Sequence, residues 1–214
     1  MERLDKHPYY FTPRIDIIEM VPEGVERILD IGCGGGETSR ILKEKGKTVV
    51  GIEIRKDIAK FAAQYYDEVF VGDVEEIDLP FPPGYFDCII YGDILEHLVD
   101  PWSLLKKHNK YLRMDGFLVV SIPNVRHYRV LKKLIFYGTW DYTDEGILDR
   151  THLRFFTLKT AKDMISEAGF KVRVVKFRIS GARWLKLLNE CLGKILLEFL
   201  ARQYLILAVK DKRF

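Results

Sequence analysis

Four of the five residues from 32 to 36 in the run ILDIGCGGGETSRIL are glycine, and carboxylates flank them at Asp30 and Glu37. Glycine loses more conformational freedom on folding than any other residue. A chain that places Gly32, Gly34, Gly35 and Gly36 together therefore needs its backbone clear of side chains there. A glycine-rich turn that opens a helix can hold a dinucleotide's pyrophosphate, with the fingerprint G-x-G-x-x-G. Read from Gly32, the sequence runs G-C-G-G-G-E, so Glu37 stands where the third glycine belongs. A carboxylate there repels pyrophosphate and suits a ligand that is cationic near the loop. More acids follow: Glu53, 21 residues after Gly32, then Asp73 and Asp93. Glu53 is an acceptor-only group, as two neighbouring hydroxyl donors require. His97 and His152 are candidate general bases for neutral pH.

The elements that must position these residues alternate. RILDI (27–31) reads as a buried strand, ETSRILKEKG as a helix stopped at Gly46, and TVVGIEI (48–54) as a second strand. A helix from RKDIAKFAAQYY, a strand at 68–73, a strand at 86–93 and a helix led by Pro101 continue the rhythm. A fifth strand is expected at 116–123. Strand alternating with helix implies parallel strands joined by crossovers. Residues 124–151 break that order with a basic helix candidate, VRHYRVLKKLIFYG, and a polar aromatic stretch, TWDYTDEGILDRTH. Ordinary connections are a few residues long, so this segment reads as a lid-like insertion over a site. A helix at 157–169 then follows, capped by Thr157 and stopped by Gly169. A strand, a helix near 182–199 and a final strand, QYLILAVK, complete one domain spanning 1–214.

The 214 residues are 48% hydrophobic, enough for a sizeable core. With 34 basic and 31 acidic residues the net charge is +3, which gives no mandate for nucleic acid. Cys33, Cys88 and Cys191 form no C-x-x-C pair, and no carboxylate cluster marks a metal site. The expected setting is a reducing cytoplasm. The apolar run LGKILLEFLARQYLILAVK is interrupted by Lys194, Glu198 and Arg202, too often to span a bilayer, although peripheral contact stays open. Its stripe of Leu185, Leu188, Leu192, Leu196 and Phe199 is expected to pack on the sheet or form a dimer face, in a monomer or homodimer.

S-adenosylmethionine, whose ammonium and sulfonium are both positive, fits a site that favours a cation near the loop, while an acid at Glu53 suits either nucleotide class. ILDIGCGGG resembles the first motif of class I S-adenosylmethionine-dependent methyltransferases, with Asp30, Gly32, Gly34 and Gly36 at its defining positions. The resemblance extends over most of the chain. It implies a Rossmann-like, doubly wound α/β sheet of seven mostly parallel strands with the last antiparallel. It implies Glu53 on the ribose, Asp73 on the adenine amino group, the Val74 backbone on the ring nitrogen and Asp93 on the ligand's amino group.

Enzymes of this class that methylate planar nitrogens carry [DNS]-P-P-[YFW] after the fourth strand; here the sequence reads YGDILEHL. That argues against planar-nitrogen acceptors and leaves a small-molecule oxygen, amine or carbon acceptor. His97 and His152 are the candidate bases, with Asp93 and Glu96 as alternatives. His7 and His108 are expected in solvent, and His127 lies in the basic helix. IPNVRHY followed by GTWDYTDEGILDRTHLRFFT resembles the Methyltransferase domain 23-like subgroup, often associated with surface-polysaccharide and glycan loci. Tyr128, Trp140 and Tyr142 would stack on an acceptor ring, and Arg126, Arg129 and Arg150 would meet phosphate or carboxylate. Two other readings stay open: an RNA methyltransferase using RHYRVLKK as its basic patch, and a non-catalytic S-adenosylmethionine-binding module.

Overall fold

The computed structural model describes residues 8–179 and 197–212. His7, Cys191 and the leucines at 185, 188, 192 and 196 lie outside the described residues. The chain enters through a 3-10 turn, Pro8–Phe11, and the one-turn helix α1 (Ile15–Ile18). Then come β1 (Arg27–Ile31), α2 (Glu37–Glu44), β2 (Thr48–Glu53), α3 (Lys56–Ala62), β3 (Glu68–Val71) and β4 (Phe86–Gly92). A 3-10 turn, Leu95–His97, leads to α4 (Pro101–Asn109), β5 (Leu112–Pro123) and α5 (Tyr128–Lys132). The described residues end with α6 (Leu158–Glu167), β6 (Phe170–Ile179), α7 (Leu197–Leu200) and β7 (Ala201–Lys210).

The seven strands form one sheet in the order β3-β2-β1-β4-β5-β7-β6. Neighbours among β1 to β5 are parallel, and β7 lies antiparallel between β5 and β6. This is the expected Rossmann-like arrangement. Period-two alternation splits the strand side chains between two cores. Leu29 and Ile31, Ile89 and Tyr91, and Leu118, Val120 and Ile122 join α4 and α6 on one face. Ile28, Cys88, Ile90 and Val119 join α1, α2 and α3 on the other. Burial on both faces explains why the strands read as continuous apolar runs rather than alternating ones.

The caps follow from their residue types. Asp100 accepts from the Ser103 amide ahead of Pro101. Thr157 and Thr160 form a reciprocal capping box, and Gly169 leaves α6 with φ +86°. Three expectations change. β5 starts at Leu112, not 116, because a bulge absorbs the Met-Asp-Gly turn signal, with Asp115 at φ 59°. The basic helix is shorter than expected: α5 passes into a π-helical turn, Lys133–Tyr137, that ends at Gly138 and exposes Ile135, Phe136 and Tyr137. His108, expected in solvent, is 1% exposed and its Nδ1 lies 2.6 Å from the Tyr91 hydroxyl. Burial pushes its pKa down to about 4, so the ring is neutral and shares a hydrogen bond with that hydroxyl.

Gly36 and Gly46 bracket α2, and both have left-handed φ, +90° and +76°. A Cβ on Gly36 would lie 3.0 Å from the Ala62 Cα and within 3.2 Å of the Tyr65 and Tyr66 rings, whereas one on Gly46 would meet nothing within 4 Å. Gly46→Ala should therefore lose only the left-handed penalty of about 1 kcal/mol. Gly36→Ala should lose at least about 1 kcal/mol more, since packing adds to the same strain. Urea unfolding of the two variants checks the difference; equal losses would refute the close-approach explanation.

Candidate active site

Strand order reverses between β1 and β4, and a ligand crevice forms beyond the carboxyl ends of the strands at such a switch point. The glycine turn leaves β1 there, and Asp93 and Ile94 leave β4. The protein itself occupies much of the space that the glycines clear. A Cβ on Gly32 would lie 2.0 Å from Ile94 Cδ1, and one on Gly35 would lie 2.5 Å from the Phe11 ring. The Gly35 amide donates to the Tyr10 carbonyl at 2.8 Å. Phe11 meets Phe61 edge to face, and the Arg55 guanidinium lies over the Tyr10 ring. The entry segment thus sits directly on the glycine turn, a contact with no signature in the sequence.

The acids divide by environment. Asp30, 5% exposed, accepts from Ser39 Oγ at 2.8 Å and Tyr66 OH at 2.6 Å, which binds β1 to α2 and to the turn after α3. Burial outweighs those hydrogen bonds and raises its pKa to about 6. Glu37 pairs with Arg40 at 3.0 Å, so its charge is shared with a neighbouring cation. The electrostatic case against pyrophosphate thus rests less on Glu37 than its position in the sequence implies. Glu53, 5% exposed at the end of β2, accepts from the amides of Gly34 and Arg55, both at 3.0 Å. Among the described residues no cation pairs with it, and lone pairs remain on both oxygens. Asp73 follows β3, its Oδ1 taken by the Glu75 amide, and Val74 beside it is buried.

Asp93 has partners of its own. Its carboxylate accepts from Ser121 Oγ at 2.6 Å and Gln203 Nε2 at 2.8 Å, and forms an ion pair with Arg14. Arg14 also reaches Ser121 Oγ and Asp16, and its backbone amide donates to Thr38. An ammonium group at Asp93 would have to displace this arginine. Arg14 lies in FTPRID, a stretch whose sequence gave no reason to place it at the strand ends.

Beyond β4 three side chains converge. The His97 and His152 rings meet edge on with centroids 4.7 Å apart. One donor atom from each of Glu96, His97 and His152 lies within 4.8 Å of the others. Glu96 is 1% exposed, and among the described residues neither carboxylate oxygen has a hydrogen-bond partner. Burial and nearby Asp93 push its pKa well above the ordinary value. His97 Nδ1 faces the Thr151 carbonyl at 3.3 Å, and His152 Nδ1 faces the Ile147 carbonyl at 3.0 Å. A carbonyl only accepts, so each Nδ1 is the donor there, and in the neutral ring Nε2 is left with the lone pair; His97 Nδ1 also lies 3.1 Å from the Thr151 hydroxyl. Burial and the neighbouring His152 hold the His97 pKa below its usual value. The Glu96 carbonyl receives the amides of Leu153 and Arg154, at 2.8 and 3.0 Å, which fastens the end of the insertion to the turn after β4. The sequence marks no metal site. The structure nevertheless gathers three possible donors, Glu96, His97 and His152, from two stretches 55 residues apart, a proximity that only the fold creates.

Of the expected acceptor contacts, Tyr142, Arg150 and His152 do meet. With Leu153 they line an open cleft of about 370 Å³. Trp140 packs edge on against Phe155 at 5.1 Å, so part of its surface is committed to the insertion's own packing. Tyr128 lies apart from the cleft lining, beside His127 and Arg129. Arg126 is paired with Glu198 and covers Phe199, and Arg150 is paired with Asp144.

A seven-stranded sheet with a glycine turn after β1 and an acid ending β2 is the Rossmann-like arrangement expected of S-adenosylmethionine-dependent methyltransferases. The chain belongs to the family described as Methyltransferase domain, whose model matches residues 9–175. It is similar to a ubiquinone biosynthesis O-methyltransferase of Actinobacillus pleuropneumoniae, 29% identical over 122 residues, which are 52% of each chain. An uncharacterised protein of Methanocaldococcus jannaschii is 26% identical over 80% of this chain and 72% of its own. Among solved structures, a SAM-dependent methyltransferase from Archaeoglobus fulgidus superposes with TM-score 0.64 at 25% identity, covering 88% of this chain and 87% of that one. The chain spans about half the length of the ubiquinone-pathway relatives it matches. The family's cofactor is S-adenosylmethionine. The residues present fit it: a buried, unpaired carboxylate at Glu53, already oriented by two amides, suits a diol. Among the described residues no helix is long and apolar enough to cross a membrane.

Asp30 carries a pH signature. Its folded pKa of about 6 lies above the unfolded value of 3.8, so the folded state holds the extra proton between them. The group's contribution to stability is full below about pH 4 and falls as pH rises through 6, by about 3 kcal/mol in all. Asp30→Asn should therefore be more stable than the parent at pH 8, with the gap closing toward pH 4.5. Urea midpoints at the two pH values test this, and a gap independent of pH would refute it.

Proposed function

We propose that the protein transfers the methyl group of S-adenosylmethionine to a hydroxyl of a small-molecule or glycan acceptor bound in the Tyr142–Arg150–His152 cleft. The observation that carries this reading is the pairing of His97 and His152, each with its Nδ1 proton given to a backbone carbonyl, beside that cleft. An oxygen nucleophile must shed a proton as it attacks, and two imidazoles with free Nε2 lone pairs favour that loss. Similarity to O-methyltransferases points the same way.

The cofactor supplies an electrophilic methyl with a neutral thioether as leaving group. In this reading Glu53 takes the ribose hydroxyls, Asp73 and the Val74 backbone take the adenine, and Gly32, Gly34 and Gly36 let the backbone approach. Asp30 acts from beneath, holding the turn through Ser39 and Tyr66. Asp93 orders the entry segment through Arg14. Tyr142 and Arg150, with the free face of Trp140, seat the acceptor; Tyr128 belongs to the hinge of the insertion. The insertion, 124–151, serves as a lid, tethered at its base where the Val125 amide donates to the Phe156 carbonyl. Closing over the acceptor, the lid excludes water and fixes the in-line geometry.

Calorimetry and a turnover assay with phenols, sugars and hydroxy acids test the assignment. Glu53→Ala should weaken S-adenosylmethionine binding at least tenfold. His152→Ala should leave that binding within twofold while lowering turnover about 100-fold or more, the usual scale for losing proton-transfer assistance. Tight cofactor binding without turnover on any acceptor would support the non-catalytic module instead. A steep salt dependence of substrate binding would support the RNA reading.

A further inference from the structure

The geometry points to a divalent-cation site formed by Glu96, His97 and His152, taking a first-row transition metal or zinc. This inference deepens the proposed reading and rests on it for its chemical purpose, although not for its existence.

A buried carboxylate without partners is the first argument. Removing an ionised carboxylate from water is expensive, and buried polar groups almost always find partners. Glu96 is 1% exposed, and among the described residues both of its oxygens lack one. The second argument is convergence. Donor atoms of Glu96, His97 and His152 lie within 4.8 Å of one another. Coordination at about 2.0–2.2 Å needs them somewhat closer, within the reach of small side-chain rotations. The third argument is the support around them. Both imidazoles direct Nδ1 at a backbone carbonyl, which fixes the tautomer and leaves Nε2 as the donor, the usual outer arrangement of a metal-binding histidine. Thr151, whose carbonyl orients His97, is itself held by Asp149 through its amide and hydroxyl, at 2.8 and 2.7 Å. The two strand-end segments are locked together by the amides of Leu153 and Arg154 on the Glu96 carbonyl. Other charges nearby have their own partners: Asp93 is paired with Arg14, and Asp149 is taken up by Thr151.

Two imidazoles and one carboxylate favour zinc, cobalt(II), manganese(II) or iron(II) over magnesium and calcium, which prefer all-oxygen sites. Three protein ligands leave positions open. An acceptor hydroxyl bound there loses its proton to solvent more readily, as a metal-bound water does. The oxygen then forms its bond to the methyl carbon as the carbon–sulfur bond breaks, giving a methyl ether and S-adenosylhomocysteine. With the cation present, both imidazoles act as ligands and the proton leaves from the coordinated oxygen.

The test uses the tag-free full chain after chelation, titrated with Co²⁺ by visible absorption and with Zn²⁺ by calorimetry, without cofactor or acceptor. One saturating equivalent is expected for each, with Mg²⁺ at least tenfold weaker. Glu96→Gln and His152→Ala should each weaken Co²⁺ and Zn²⁺ binding at least tenfold. Should either variant misfold by circular dichroism, His97→Gln provides the same comparison. Absence of one-equivalent uptake by the parent, or uptake unchanged in a folded variant, overturns the site. S-adenosylmethionine calorimetry on the same samples separates this failure from failure of the proposed function, since that binding depends on Glu53 and not on these three side chains.

Discussion

A parallel sheet buried on both faces leaves its strand ends as the natural place for unneutralised charge, and this constraint organises the whole molecule. β1 and β4 are apolar along most of their length because helices cover both of their sides, with Arg27 and Asp87 at their amino-terminal ends. Acidic groups are consequently displaced to the carboxyl ends, where Glu53 ends β2, Asp73 follows β3, and Asp93 and Glu96 follow β4. The exception proves costly. Asp30 lies inside β1, and the interior tolerates it only with two hydroxyl donors and a raised pKa.

Three segments distant in sequence close over those ends. The entry turn rests on the glycines through Tyr10 and Phe11, Arg14 reaches across to Asp93 and Ser121, and the end of the insertion docks on the turn after β4. The contacts are mostly backbone amides meeting carbonyls, which fix position without demanding particular side chains. Chemistry-bearing groups can then project from a rigid frame. The Glu96 residue joins both layers: its carbonyl is the fastening, and its carboxylate faces the histidines.

The fold was largely legible in the sequence, because strand and helix periods, glycine stops and threonine and aspartate caps are local signals. Thr157, Gly169 and Pro101 stand where their chemistry indicates. The acids at the strand ends were legible too, since spacing along alternating elements is nearly fixed. What escaped were relations between segments. Arg14 carries no local mark of its partner 79 residues away. The meeting of Glu96 with His152 depends on how a 28-residue insertion returns to the sheet. His108 read as solvated because lysines flank it, yet its own position on α4 faces the core. Asp115 and Gly116 gave an honest turn signal that the strand absorbed as a bulge.

β7 lies between β5 and β6, though it follows both in the chain. Among the described residues β6 hydrogen-bonds to no other strand. During synthesis β5 therefore presents an open edge, and β6 has nowhere to pair, until the ribosome has released the residues from Ala201 onward. Gln203 of that same strand completes the hydrogen bonds of Asp93. Assembly of the crevice thus waits on the latest strand of the sheet, a long-range closure that makes folding slow and leaves the nascent chain exposed to edge-to-edge association.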